Sequence, residues 1–245
     1  MSKYRVGIIA EGPTDISAIE GIVKNIFPDD VFVFNAISPT PNELSMQQKD
    51  EGFGWGGVYR VCRNLAEKLR FAEGVSGTFD CVVIHIDADV AYAQYGDIGE
   101  KDPISDDLPC ATLGDRCDKV CSSLERVLQS WVNVERHEIT PCIPYICTEV
   151  WVGCWLYQEK WREIEEGAAE GRVYKCLYEL GLPKSEKDRR LIRKKGGRFI
   201  KCRKGYINAA SILTKELWAT VTANYKQAKL FDDRLRKVMT AEDVK

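Results

Sequence analysis

An α/β fold, Rossmann-like and mostly parallel, with helices on both faces of the sheet and a mainly helical C-terminal extension, is what this 245-residue sequence predicts. Three observations carry that expectation. Short apolar runs alternate with amphipathic stretches through the first 155 residues. Those runs are nearly continuous in apolar residues, as strands buried on both faces are. Beyond them the texture turns helical and basic, with no clear strand. The chain thus divides into a core of residues 1–155 and a basic, helical extension of residues 156–245.

The elements follow in order. KYRVGIIA (3–10) has the composition of a buried strand, and helical spacing resumes at Ile16, Ile19, Ile22, Val23, Ile26 and Phe27, with Thr14 or Asp15 available as N-cap. VFVFNAI (31–37) is a second strand, followed by a loop rich in proline, glycine and polar residues over 38–57. VYRVCRNLAEKLRFAE (58–73) places Val58, Val61, Leu65 and Leu69 on one helical face. FDCVVIHID (79–87) is the clearest strand, and a long polar loop runs from it to about residue 112. Helix returns over 116–132, and ITPCIPYICTEVW (139–151) is a strand running into a helix.

Composition narrows the function. A hydrophobic share of 44% and a charged share of 29% are those of an ordinary globular protein. No apolar stretch approaches the roughly 20 residues that span a bilayer, and MSKYRVGIIAEG lacks a signal-peptide core, so a cytoplasmic location with no membrane partner is expected. The ten cysteines form no CxxC pair and only His85 and His137 accompany them, which argues against a structural zinc site and for reduced, buried thiols. The net charge of −2 hides a separation: nine acids against Lys101 and Arg116 over residues 85–118, a net of −7, and eleven cations against Glu186 and Asp188 over 184–204, a net of +9. Each block alone is what a solvated face looks like. Together they suit metal ions held beside a phosphate polymer. The run GFGWGG (52–57) lacks the Gly-Lys-Ser/Thr of a phosphate-binding P-loop, leaving Trp55 as a stacking or packing residue.

In open α/β sheets ligands bind beyond the carboxyl ends of the strands. Glu11 falls there on the first strand, with Asp15 four residues on, after the Gly12-Pro13 turn. Asp87 and Asp89 end the third strand, two apart and so on one side if the chain stays extended. Were the two strands neighbours, the carboxylates would meet, and clustered carboxylates repel unless protonated or metallated. A hard cation such as Mg²⁺ relieves that repulsion. Glu149, after Thr148, ends another apolar run ahead of the tryptophans and on its own reads as an ordinary helix-start acid. His85 is expected as a packed core histidine rather than a ligand.

An apolar strand ending in Glu-Gly, an aspartate soon after, and a second strand ending in Asp-x-Asp resemble the Toprim domain over residues 4–155. The EGPTD form is most similar to OLD-type nucleases and to small stand-alone Toprim-like proteins of phage-defence loci. The resemblance implies a Toprim sheet with catalytic Glu11, Asp87 and Asp89, and metal ligands Glu11, Asp15, Asp87, Asp89 and Glu149. It implies two Mg²⁺ or Mn²⁺ ions, nucleic-acid phosphodiester hydrolysis with DNA ahead of RNA, and a separate ABC- or AAA-type ATPase as partner, since the chain has no Walker motif. Lys195, Lys201 and Arg198 are the expected phosphate contacts, beside the flexible Gly196-Gly197 pair. Two other readings use the same residues: a non-catalytic Toprim-like scaffold binding metal or nucleic acid for a partner, and an Asp-x-Asp phosphatase. The latter suffers from Val90-Ala91 standing where a Thr-containing pattern is expected. The oligomeric state is left open.

Overall fold

The computed structural model describes residues 2–40, 53–100, 117–132, 139–158, 161, 170–180 and 190–240. Four parallel strands form the central sheet: β1 (Lys3–Ile9), β2 (Val31–Ser38), β3 (Cys81–His85) and β4 (Ile139–Cys142), in the order β2-β1-β3-β4. β1 is therefore central, with Val6 beside Cys81 and Ile9 beside Ile84 on one flank and Lys3 beside Val31 on the other. Parallel neighbours need crossover connections, and helices supply them.

Strand alternation sorts the core into two layers. Val6, Ile8, Cys81 and Val83 face α1 (Pro13–Ile26), whose Ile19 and Ile22 are buried there, and α5 (Thr148–Tyr157), which contributes Trp151 and Trp155. Ile9, Ile37, Val82 and Ile84 face the other way, onto α2 (Gly54–Arg63), α3 (Leu65–Ser76) and α4 (Cys117–Trp131). The helices thus cover both faces of the sheet, as the continuous apolar strands require. Trp55 packs edge-on against Tyr95 and stacks near Trp131, a packing role.

Several local expectations are corrected. The helix expected over 58–73 starts at Gly54, inside the glycine-rich run, and breaks at Asn64 into two. Gly12, in extended backbone, is the N-cap of α1, and Pro13 opens the helix, its fixed φ and missing N–H suiting a first-turn position. The polar stretch after β3 contains two 3₁₀ turns, Ala88–Tyr92 and Tyr95–Ile98, while residues 101–116 and most of the proline-rich loop, 41–52, lie outside the described residues.

The largest correction concerns the basic block. After α6 (Glu170–Glu179), the stretch expected to be helical forms an antiparallel hairpin, β5 (Ile192–Lys195) and β6 (Arg198–Lys201), pairing Ile192 with Lys201. Gly196 and Gly197 turn it with φ of +56° and +80°, angles glycine adopts without steric penalty and the pattern of a two-residue hairpin loop. Four-residue strands made mostly of Lys and Arg carry almost no alternating apolar signal, which hides them from sequence. Ile192 is buried and Phe199 half-buried; Arg193, Lys194, Lys195 and Arg198 are exposed.

Three helices follow among the described residues: α7 (Arg203–Ile212), α8 (Lys215–Asn224) and α9 (Lys226–Thr240). They join the same apolar layer as β1 and α1. Trp151 meets Trp218 edge-on and stacks on Phe231, and the buried Trp218 indole donates to Asp232 Oδ1 at 3.0 Å. α9 lies along the edge strand β4, and Arg234 reaches Glu125 of α4 at 2.7 Å. No helix among the described residues is long and apolar enough to cross a membrane.

α1 and α7 approach closely at Gly21, where a Cβ would stand 2.6 Å from that of Ala210 and 3.0 Å from its Cα. Gly21→Val should therefore lower unfolding free energy by about 1–3 kcal/mol, read from urea denaturation, because neither backbone can yield without loosening the contact. An unchanged midpoint would show that the two helices do not touch.

Candidate metal centre at the carboxyl edge of the sheet

Parallel pairing carries the ends of β1, β3 and β4 to one edge. The Asp87 amide donates to Glu11 Oε1 at 2.8 Å, joining the first and third strand ends directly. The loop after β4 is laced to the same place: Ile86, Ala88 and Asp89 amides donate to the carbonyls of Cys142, Pro144 and Ile146 at 3.0–3.1 Å. Ile146 has φ of +67°, a conformation that costs a β-branched residue of order 1–3 kcal/mol and is held by those bonds. It delivers Thr148 at the start of α5, whose amide donates to Asp87 Oδ1 at 2.9 Å and whose hydroxyl lies 3.3 Å from the same oxygen. The Thr148 hydroxyl is also 2.7 Å from His85 Nε2, itself 3.1 Å from Asp87 Oδ1.

Asp15, in the first turn of α1, completes the group. One donor atom each from Asp15, His85 and Asp87 lies within 4.8 Å of the others, and all three residues are buried. Asp15 Oδ1 and His85 Nδ1 are buried and make no hydrogen bond. Two carboxylates and an imidazole that gives up its proton on binding fit a divalent cation, and the mixed oxygen and nitrogen set suits Mn²⁺ better than Mg²⁺.

Glu149 sits one residue after Thr148 and is fully buried, but it looks toward the C-terminal part of the chain. Its Oε1 accepts a hydrogen bond from the Tyr206 hydroxyl of α7 and lies 2.9 Å from Lys201 Nζ. Lys201 Nζ is also 3.7 Å from Asp15 Oδ1 and sits over the Tyr174 ring. Lys201, expected to contact phosphate from an exposed block, therefore points inward from the end of β6, its side chain 26% exposed. Lys195 and Arg198 stay on the exposed part of the hairpin.

Asp89 departs from the expected cluster. β3 ends at His85 and a 3₁₀ turn begins at Ala88, so the extended alternation that would align Asp89 with Asp87 is broken. Asp89 is exposed and outside the grouped ligand atoms, while Asp87 is buried. His85, expected as a core side chain, keeps its place in the core and is at the same time one of the three grouped donors. Its spacing of two from Asp87 was the available signal. Tyr206 was not anticipated, and no local motif marks it.

Burial and neighbouring charge set the protonation states. Burial, then the Asp87 charge, push Glu11 well above the usual carboxylate range. Burial also raises Glu149, more than Lys201 lowers it. For Asp87, burial is outweighed by His85, Lys201 and the Thr148 amide, and its pKa falls. Burial would depress Lys201, but Glu149 and Asp15 hold it well above the ordinary lysine value. For His85 burial acts downward, yet Asp87, Asp15 and Glu11 together carry it from 6.5 up to about 9.

Comparison of the chain with protein-family models, with curated proteins and with solved structures finds no match. The class is thus defined by architecture and site alone: a parallel α/β sheet with a buried carboxylate–imidazole group at its carboxyl edge.

The His85 shift has a measurable consequence. A group that holds its proton more tightly folded than unfolded stabilises fully below about pH 6.5 and loses that contribution as pH climbs through about 9. Melting temperatures of EDTA-treated protein should fall across that window, and His85→Gln should flatten the decline. A slope that persists in the variant would place its origin elsewhere.

Proposed function

We propose that the chain is a metal-dependent nuclease of the Toprim kind, hydrolysing nucleic-acid phosphodiester bonds, with DNA the first substrate to test. The observation that carries this reading is the meeting of Glu11, Asp15, His85 and Asp87 at the carboxyl edge of adjacent β1 and β3. A divalent cation bound there would neutralise charge on a phosphate and make water more acidic. Asp15, His85 and Asp87 would hold it. Glu11, only partly exposed and with its pKa raised by burial, is suited to accept a proton from water and return one to the leaving oxygen. The exposed Lys195 and Arg198 are suited to phosphate contact along the hairpin. A separate ATPase and a role in anti-phage defence are proposed from the Toprim resemblance alone.

A specific observation favours a second reading. Lys201 and Tyr206 already compensate Glu149, and Asp89 stands outside the group, so the acids could serve a non-catalytic scaffold that binds metal or nucleic acid for a partner.

Incubation with plasmid DNA, single-stranded DNA and RNA in Mn²⁺ or Mg²⁺ separates the two. A nuclease should cleave at least one substrate, lose activity to EDTA, and drop on the order of 10²-fold or more in Glu11→Gln and Asp87→Asn. Nucleic-acid binding without cleavage under all these conditions, with or without an ATPase encoded beside it, would leave the scaffold.

A further inference from the structure

The centre has two halves that share one side chain. On one side Asp15, His85 and Asp87 each place a donor atom within 4.8 Å of the others. On the other, Asp15 Oδ1 lies 3.7 Å from Lys201 Nζ, which contacts Glu149 Oε1 at 2.9 Å. In two-ion hydrolytic sites a pair of cations sits about 3.5–4 Å apart across shared ligands. Here Asp15 is the shared ligand, and one of the positive charges beside it is already covalently attached to the chain.

The ammonium is not a stray surface group. Lys201 ends β6 opposite Ile192, and the next amide, Cys202, donates to Leu191 O at 2.7 Å, closing the hairpin. α7 then starts at once and packs on α1 at Gly21, bringing Tyr206 to Glu149 Oε1. The lysine and its two carboxylates are therefore positioned by the hairpin, α5 and α1 together. Glu149 is completely buried, and a buried carboxylate without a partner charge is costly, so loss of the ammonium leaves Glu149 to take up either a proton or another cation. Glu149 Oε2 is buried with no hydrogen bond, an open lone-pair position for such a replacement.

We infer that Lys201 is the resident cation of the Glu149 half of this centre, so that the protein takes a single divalent ion, at Asp15, His85 and Asp87, with the lysine standing where a second ion would bind. The inference rests on the metal-binding part of the proposed function and revises the two-ion expectation drawn from the Toprim resemblance. Lys201 is on this account a positioning residue for the cation site: it balances Glu149, and through Asp15 it limits how much positive charge the neighbouring half accepts.

Mn²⁺ is the probe. Equilibrium dialysis of the full chain should count one Mn²⁺ per chain in the wild type and in Lys201→Arg, and two in Lys201→Met, where Glu149 and Asp15 are freed together. Low-temperature EPR of the saturated wild type should show isolated Mn²⁺, a readout that does not depend on any variant folding. Two ions per wild-type chain, or an exchange-coupled pair in its spectrum, overturns the inference while leaving metal binding intact. A folded Lys201→Met that still binds one ion also overturns it. If neither protein binds Mn²⁺, the metal reading falls with it.

Discussion

Taking several carboxylates and an imidazole out of water at one edge of a parallel sheet is the constraint on which the rest of this molecule depends. Such groups are tolerated in an interior only when each charge meets a partner or a donor. Here the partners come from every layer: a backbone amide for Glu11, an amide, a hydroxyl and an imidazole for Asp87, an ammonium and a phenol for Glu149. The helix starts of α1 and α5 are aimed at the same place, where their dipoles favour negative charge. Much of the local geometry serves this compensation, down to the left-handed Ile146 that turns α5 onto Asp87.

The same constraint explains how the C-terminal part is joined to the sheet. Its helices bury Trp218, Phe231 and Leu235 against the layer that includes β1 and α1, and Tyr4 donates to the Met239 carbonyl near the far end of the chain. That packing is hydrophobic and would hold with many sequences. The hairpin and α7 add what apolar contact alone cannot, a precisely placed cation and hydroxyl beside Glu149.

How much of this the sequence disclosed follows from which signals are local. Strands such as VGII and CVVIH are buried on both faces, so their composition alone marks them, and their shared carboxyl edge followed from α/β connectivity. Glu11 and Asp87 were therefore legible. Asp89 was misplaced because alternation holds only while the backbone stays extended, and a 3₁₀ turn starting at Ala88 leaves no strong mark in composition. The hairpin was hidden for the opposite reason: its strands are short and charged, and only the Gly196-Gly197 pair hinted at a turn. The inward direction of Lys201 and the role of Tyr206 depend on contacts between residues 50 or more positions apart, for which one sequence carries no signal.

One consequence of the hairpin and α7 concerns the order in which the chain is made. Glu11, Asp15, His85, Asp87 and Glu149 all leave the ribosome before Lys201 and Tyr206 do. A nascent chain that has folded its sheet still carries Glu149 without its ammonium and its phenol, and α1 without the helix that covers Gly21. The acidic centre reaches its charge balance only once residues 201 and 206 have been added. Chains cut short before residue 201 lack both the cation and the hydroxyl that meet Glu149.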